Sequence, residues 1–210
     1  MTLDKLRPVA ERALDPFVTA ADRVGLTPDG VSVLALGSAG AAGLAYTLAG
    51  RSVAGLEADP RLYLAGAVLV FCNGWLDILD GALARKQGTD SSGGDLLDHV
   101  VDRYADILVV AGLAAGSGRY LLGFLAVTGV LMTSYLGTQA EAVGLDRVYG
   151  GVVGRADRLA IIGGVTAIAA VARPTAAGLG PVGWLLVFLA VVGHLTALQR
   201  FYHSMRALQD

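Results

Sequence analysis

Six aspartates lie where an apolar chain can least tolerate them. Asp77, Asp80, Asp95, Asp98, Asp102 and Asp106 fall in, or at the ends of, two long apolar stretches. Each charge at bilayer depth costs roughly 2.5–3.5 kcal/mol, less near an interface. The set therefore costs on the order of 10 kcal/mol that something must offset, and the cations nearby in sequence are Arg85, Lys86 and Arg103. Asp77 and Asp80 are three residues apart, and Asp98 and Asp102 four, so on helices each pair shares a face. Two such pairs on neighbouring antiparallel helices can surround a hard divalent cation with oxygen ligands. Asp95 and Asp106 extend the second stripe by a turn each way.

Three kinds of protein bury carboxylates in this way. Proton or ion transporters use them along a pathway. A purely structural cluster is disfavoured, because repulsion without a cation would destabilise the bundle. An enzyme gripping a metal–pyrophosphate accounts for carboxylates that converge near an interface rather than at the midplane.

The elements that must position these residues are membrane helices. The chain has 210 residues, 54% of them hydrophobic and only 16% charged, against roughly a quarter charged in a soluble domain. Its mean hydropathy is +0.60. A net charge of −2 and a pI near 5.9 argue against a nucleic-acid partner, which would call for a basic domain. One cysteine, Cys72, rules out an internal disulfide framework and a cysteine-based zinc site. The length allows one domain.

Apolar stretches long enough to cross, or nearly so, run over residues 31–49, 62–75, 96–115, 120–142, 159–172 and 181–201. A span needs about 17–25 residues, so the fifth is short unless its helix starts upstream, near Val152. The expectation is an all-α integral membrane protein of six transmembrane helices, with residues 27–210 as the transmembrane domain. Residues 1–26 carry too many charges for a cleavable leader. Leu3, Leu6, Ala10, Ala13, Leu14, Phe17, Ala21 and Val24 recur at helical spacing there. That pattern predicts an amphipathic juxtamembrane helix lying on the bilayer, broken or kinked at Pro8 and Pro16. Thr27, Pro28 and Asp29 then start the first span as cap, first-turn proline and acidic residue on the positive helix end.

Six spans put both termini on one side. Lys5, Arg7, Arg12, Arg23, Arg85, Lys86, Arg147, Arg155, Arg158, Arg200 and Arg206 share it, against Arg51, Arg61, Arg119 and Arg173 in the opposite loops. Eleven against four predicts cytoplasmic termini and a cytoplasmic site in the cell membrane. Gly112 and Gly116 form a GxxxG pair, a signal for close helix contact or dimerisation. A homodimer is expected.

Fixed offsets separate the candidate functions. Asp77, Asp80, Gly81, Ala84 and Arg85 are followed by Gly94, Asp98 and Asp102 in the pattern D-x2-D-G-x2-A-R-x8-G-x3-D-x3-D. A transporter supplies no reason for Gly81, Ala84, Arg85 and Gly94 at those offsets. The run matches the signature of the CDP-alcohol phosphotransferase family at all eight fixed positions, by chance on the order of one in a million. The chain resembles that family over its whole length. Asp29 stands where many members have Asn, a difference that touches the start of the helix and not the chemistry.

The resemblance implies a phospholipid-synthesising transferase. Asp77, Asp80, Asp98 and Asp102 would hold two divalent ions, Mg2+ or Mn2+, on the diphosphate of a CDP-lipid (CDP-diacylglycerol or CDP-archaeol). Asp77, Asp80, Gly81, Ala84, Arg85 and Gly94 would bind the nucleotide. The acceptor hydroxyl would attack the lipid-side phosphorus with Asp102 as general base, and CMP would leave. On the acceptor side, guanidinium binds phosphate in a bidentate fork, which makes Arg147, Arg155, Arg158 and Arg200 candidates for a phosphorylated alcohol. Arg155-Ala-Asp157-Arg158 resembles an Arg-x-Glu-Arg stretch of the inositol-phosphate branch. Inositol phosphate is the expected acceptor, with glycerol 3-phosphate or serine as alternatives. Arg103 is expected to balance Asp106, and His99 is set aside because it lies about 100° around the helix from Asp98.

Overall fold

A computed structural model describes residues 7–145 and 153–209. Among these residues the chain is wholly helical apart from its turns: α1 Arg7–Arg23, α2 Pro28–Gly50, α3 Leu62–Gln87, α4 Ser92–Ser117, α5 Tyr120–Ala142, α6 Arg155–Val171 and α7 Pro181–Ala207. Helices α2, α3, α5 and α7 are long and apolar enough to cross a bilayer. This is a multi-pass membrane protein. Helix α4 has the length but carries the acidic stripe, and α6 rises only about 26 Å at 1.5 Å per residue. Helix α6 does not start upstream near Val152: Gly154 is its N-cap, with extended backbone at φ −82° and ψ 179°, and Arg155 is its first residue.

Caps explain where the site helices start and stop. Thr27 accepts a hydrogen bond from the Gly30 N–H at 3.2 Å, with Pro28 at the first position and Asp29 in the first turn, as the sequence indicates. Helix α3 ends on Gly88, whose φ of 63° is the left-handed conformation that glycine adopts without penalty. The Thr89 N–H then bonds the Ala84 carbonyl at 3.1 Å. Three residues later Ser91 caps α4 by accepting from the Gly94 N–H at 3.1 Å. So tight a reversal sets α3 and α4 antiparallel. It brings the last turns of α3, with Asp77 and Asp80, opposite the first turns of α4, with Asp98 and Asp102.

Glycine sets the spacing of the bundle. Helix α2 packs between α3 and α4, α5 packs on α7, and α3 on α6. A methyl added to Gly112 would run into the backbone of Gly43, one on Gly116 into the Tyr46 carbonyl, and one on Gly43 into the backbone of Leu108. The GxxxG pair is therefore spent inside the chain, against α2, rather than on a second copy. A dimer must use another surface. Tyr46, fully buried, lies against Gly66 and bonds Thr166 Oγ1 at 3.1 Å, so its hydroxyl is satisfied inside an apolar core.

Helix α1 continues through Pro16, where a break or kink is expected from the sequence. Its Leu14, Val18 and Ala21 are buried against Val31, Leu79 and Leu83, and this packing outweighs the lost hydrogen bond. Phe17 meets Trp75 edge-on at 5.4 Å. Lys86 lies 3.6 Å from Asp22, and Gln87 donates to Asp22 at 3.0 Å. The helix thus braces the back of α3 behind the acidic motif.

The α2–α4 crossing makes a direct prediction. Gly112→Leu must part the two backbones and should cost about 3 kcal/mol or more, lowering the thermal midpoint in detergent by several degrees. Gly37→Ala, on the α2 side of that pair but facing open space, should melt at or above wild type, because Ala is the better helix former.

Candidate active site

One oxygen each from Asp77, Asp98 and Asp102 lies within 4.8 Å of the others. The three share a cavity of about 1620 Å³ with Asp80, Gly81, Ala84, Arg85 and Gly94. Every residue of the acidic motif therefore faces one space, as its spacing implies. Asp80 takes a different place within it. It is almost fully buried, its Oδ2 accepting from Ser32 Oγ at 2.7 Å and its Oδ1 from the Gly81 N–H at 2.6 Å. Those two donors fix its orientation.

The glycines are explained by what surrounds them. A methyl on Gly81 would touch only Arg85 Nη1, at an ordinary 3.5 Å, so no neighbouring helix requires glycine there. Its small size opens the cavity instead. Gly94 N–H serves the Ser91 cap, and its Cα faces the Ser91 hydroxyl. Ala84 and Arg85 line the same wall.

Cations reach the carboxylates from α6. Arg155 Nη1 lies 2.6 Å from Asp77 Oδ1 and Nη2 lies 2.7 Å from Asp102 Oδ1. Nη2 also donates to Asn73 Oδ1 at 3.4 Å, and the Asn73 amide is held by the Ala35 carbonyl at 2.9 Å. Arg103 Nη2 stands 3.3 Å from Asp102 Oδ2. The partner of Asp106 differs from expectation: Arg158, not Arg103, takes it at 2.6 Å, with both side chains buried. Spacing along α4 suggests Arg103, but Asp106 faces α6 across the bundle. Arg200, also buried, donates to the Thr133 carbonyl at 2.8 Å. Arg155, Arg158 and Arg200 line the same cavity. Arg147 lies outside the described residues.

Three residues escaped the sequence reading. Ser32 and Asn73 are buried polar groups that hold Asp80 and Arg155. Asn73 stands four residues before Asp77 in an otherwise apolar run, so its spacing was the available signal. His99 lines the cavity, with Nδ1 at 2.7 Å from the Asp95 carbonyl. The cavity is wide enough to take in more than one face of α4, since Asp95, Asp98, His99, Asp102 and Arg103 all line it.

Convergent hard oxygens suit a divalent cation, and the trio Asp77, Asp98 and Asp102 fits one. The long apolar helices and the carboxylate-lined cavity define an integral membrane protein with a charged site. Residues 26–196 match the sequence model of the family described as CDP-alcohol phosphatidyltransferase, and the chain belongs to that family. It is a transferase of substituted phosphate groups. The archaetidylinositol phosphate synthase of Methanothermobacter thermautotrophicus is 31% identical, over 99% of this chain and 96% of its own. The phosphatidylinositol phosphate synthase of Mycobacterium marinum is 35% identical, over 91% and 79%. The crystal structure of the Mycobacterium tuberculosis phosphatidylinositol phosphate synthase with CDP-DAG bound superposes with a TM-score of 0.75 at 28% identity, covering 92% of this chain and 94% of that one. The same enzyme in complex with manganese and citrate gives a TM-score of 0.75 at 27% identity, over 90% and 88%.

The buried Arg158–Asp106 pair can be tested by itself. Asp106→Ala strands the guanidinium and should cost about 3–5 kcal/mol, read as a lower thermal midpoint. The double variant Asp106→Leu/Arg158→Met removes both charges and should recover most of that loss.

Proposed function

We propose that the chain transfers the lipid-phosphate group of a CDP-lipid to inositol phosphate and releases CMP. The convergence of Asp77, Asp98 and Asp102 with Arg155 on one cavity carries this reading. An acidic grip for a metal–diphosphate and a cationic fork for a second phosphate then lie side by side. The archaetidylinositol phosphate and phosphatidylinositol phosphate synthases among the relatives support the acceptor.

In this reading Asp77, Asp80, Asp98 and Asp102 hold two divalent ions, Mg2+ or Mn2+. Bound ions supply charge neutralisation of the diphosphate and of the departing oxygen. Asp80, fixed by Ser32 and Gly81, orients the donor end. Gly81, Ala84, Arg85 and Gly94 form the wall that accepts the nucleotide, Gly81 by leaving room and Arg85 by offering its guanidinium to a phosphate. The acceptor hydroxyl attacks the lipid-side phosphorus, the bond to the CMP oxygen breaks, and Asp102 takes the hydroxyl proton. Arg155, Arg158, Arg200 and Arg147 supply the positive field for the acceptor's phosphate. Arg155 contacts Asp77 and Asp102 of the cluster directly, while Arg158 and Arg200 shape the pocket from buried positions.

The membrane arrangement belongs to the same proposal. All of α2 to α7 cross the bilayer as six spans. Helix α1, with Phe17 exposed and Val24 exposed just beyond its end, lies in the interface as part of the 1–26 segment ahead of the 27–210 catalytic domain. Termini and cavity face the cytoplasm of the cell membrane, and the enzyme works as a homodimer.

Purified protein given CDP-diacylglycerol or CDP-archaeol, Mg2+ or Mn2+ and a panel of alcohols tests the reading. CMP release should be fastest with inositol phosphate. Asp77→Asn, Asp80→Asn and Asp98→Asn should each lower it by about 100-fold or more while eluting as folded protein. Faster turnover with glycerol 3-phosphate or serine would move the acceptor assignment. Full activity in two of the three variants would remove the shared metal site.

A further inference from the structure

Arg155 occupies an unusual position for a residue read as an acceptor ligand. Its guanidinium lies between two of the three clustered carboxylates and binds one oxygen of each, at 2.6 and 2.7 Å. Arg103 stands on the other oxygen of Asp102, at 3.3 Å. Both Asp102 oxygens thus carry an arginine. Any divalent ion held by Asp77 and Asp102 would share their lone pairs with a guanidinium only a few ångströms away, and two cations in one low-dielectric site repel strongly.

Two further observations show that this placement can be given up. Arg155 Nε is buried and has no hydrogen-bond partner, so the guanidinium is not fully satisfied where it lies. Arg155 is also the first residue of α6, after Gly154, so its own N–H makes no intrahelical hydrogen bond that a shift of the residue would break.

We propose that Arg155 is a tethered counter-cation of the acidic cluster, competing with the divalent ion for Asp77 and Asp102. With an ion on those carboxylates, Arg155 would leave them and turn its fork towards the acceptor side of the cavity. Arg155 neutralises the buried carboxylates until the ion arrives, and the phosphate-binding arm is released only in a loaded site. Acceptor binding is thereby ordered after metal binding. The inference rests on the metal assignment of Asp77, Asp98 and Asp102.

The test uses full-length protein in detergent with no substrate, Mn2+ binding being followed through the EPR signal of the free ion. Arg155→Gln should bind Mn2+ about 10-fold more tightly than wild type, since its competitor is gone. Arg155→Lys should fall between them, because an ammonium cannot bridge both carboxylates; it also keeps the test open if the glutamine variant is poorly folded. In chelator, Arg155→Gln should melt below wild type, and saturating Mn2+ should close that gap. Equal or weaker Mn2+ binding by both variants would overturn the proposal and leave Arg155 as a clamp on the carboxylates. Mn2+ binding by Asp98→Asn indistinguishable from wild type would instead overturn the metal assignment beneath it.

Discussion

Negative charge gathered inside an apolar bundle is the constraint on which the rest of this structure depends. Asp77, Asp98 and Asp102 converge within 4.8 Å, with Asp80 buried in the same cavity wall. Left uncompensated, such a cluster would drive the helices apart. Each surrounding feature reduces that cost. Ser32 and the Gly81 N–H give Asp80 two donors. Arg155 crosses from α6 to Asp77 and Asp102, and Arg158 neutralises Asp106 one turn deeper. The compensation is local and directional, from hydrogen bonds and guanidinium forks rather than diffuse surface charge, as a low-dielectric setting demands.

Close helix packing is what allows so few residues to achieve this. Gly43, Gly112 and Gly116 bring the backbones of α2 and α4 into contact, and Gly66 on α3 makes room for Tyr46 of α2; along that α2–α3 contact Ser32 reaches Asp80. Gly88 and Ser91 make the α3–α4 reversal tight, which sets the two acidic pairs opposite one another. The tight crossing and the open cavity use glycine for opposite ends. Gly112 admits another backbone, whereas Gly81 keeps a wall clear of side chain.

Much of the site was legible because helical spacing is rigid. Three- and four-residue intervals place Asp77 with Asp80 and Asp98 with Asp102, and the cap at Thr27 follows from residue type alone. What spacing along one helix cannot reveal is the partner on another. Asp106 pairs with Arg158, 52 residues away, and not with its neighbour Arg103. For the same reason Asn73 and Ser32 escaped notice, since their roles exist only once α2, α3 and α6 have packed. Pro16 illustrates tertiary override: burial of Leu14 and Val18 keeps α1 helical through a residue that usually interrupts. GxxxG was correct as a packing signal, but sequence cannot say whether its partner lies in the same chain.

The central claim is that the carboxylate cluster binds divalent ions in contact with a diphosphate. Electron–nuclear double resonance of the Mn2+-loaded protein, with CDP-lipid added and acceptor withheld, tests it most directly. Strong 31P couplings should appear with CDP-lipid and vanish in Asp98→Asn. Tightly bound Mn2+ with no 31P coupling, or couplings unchanged in Asp98→Asn, would contradict the assignment of the site.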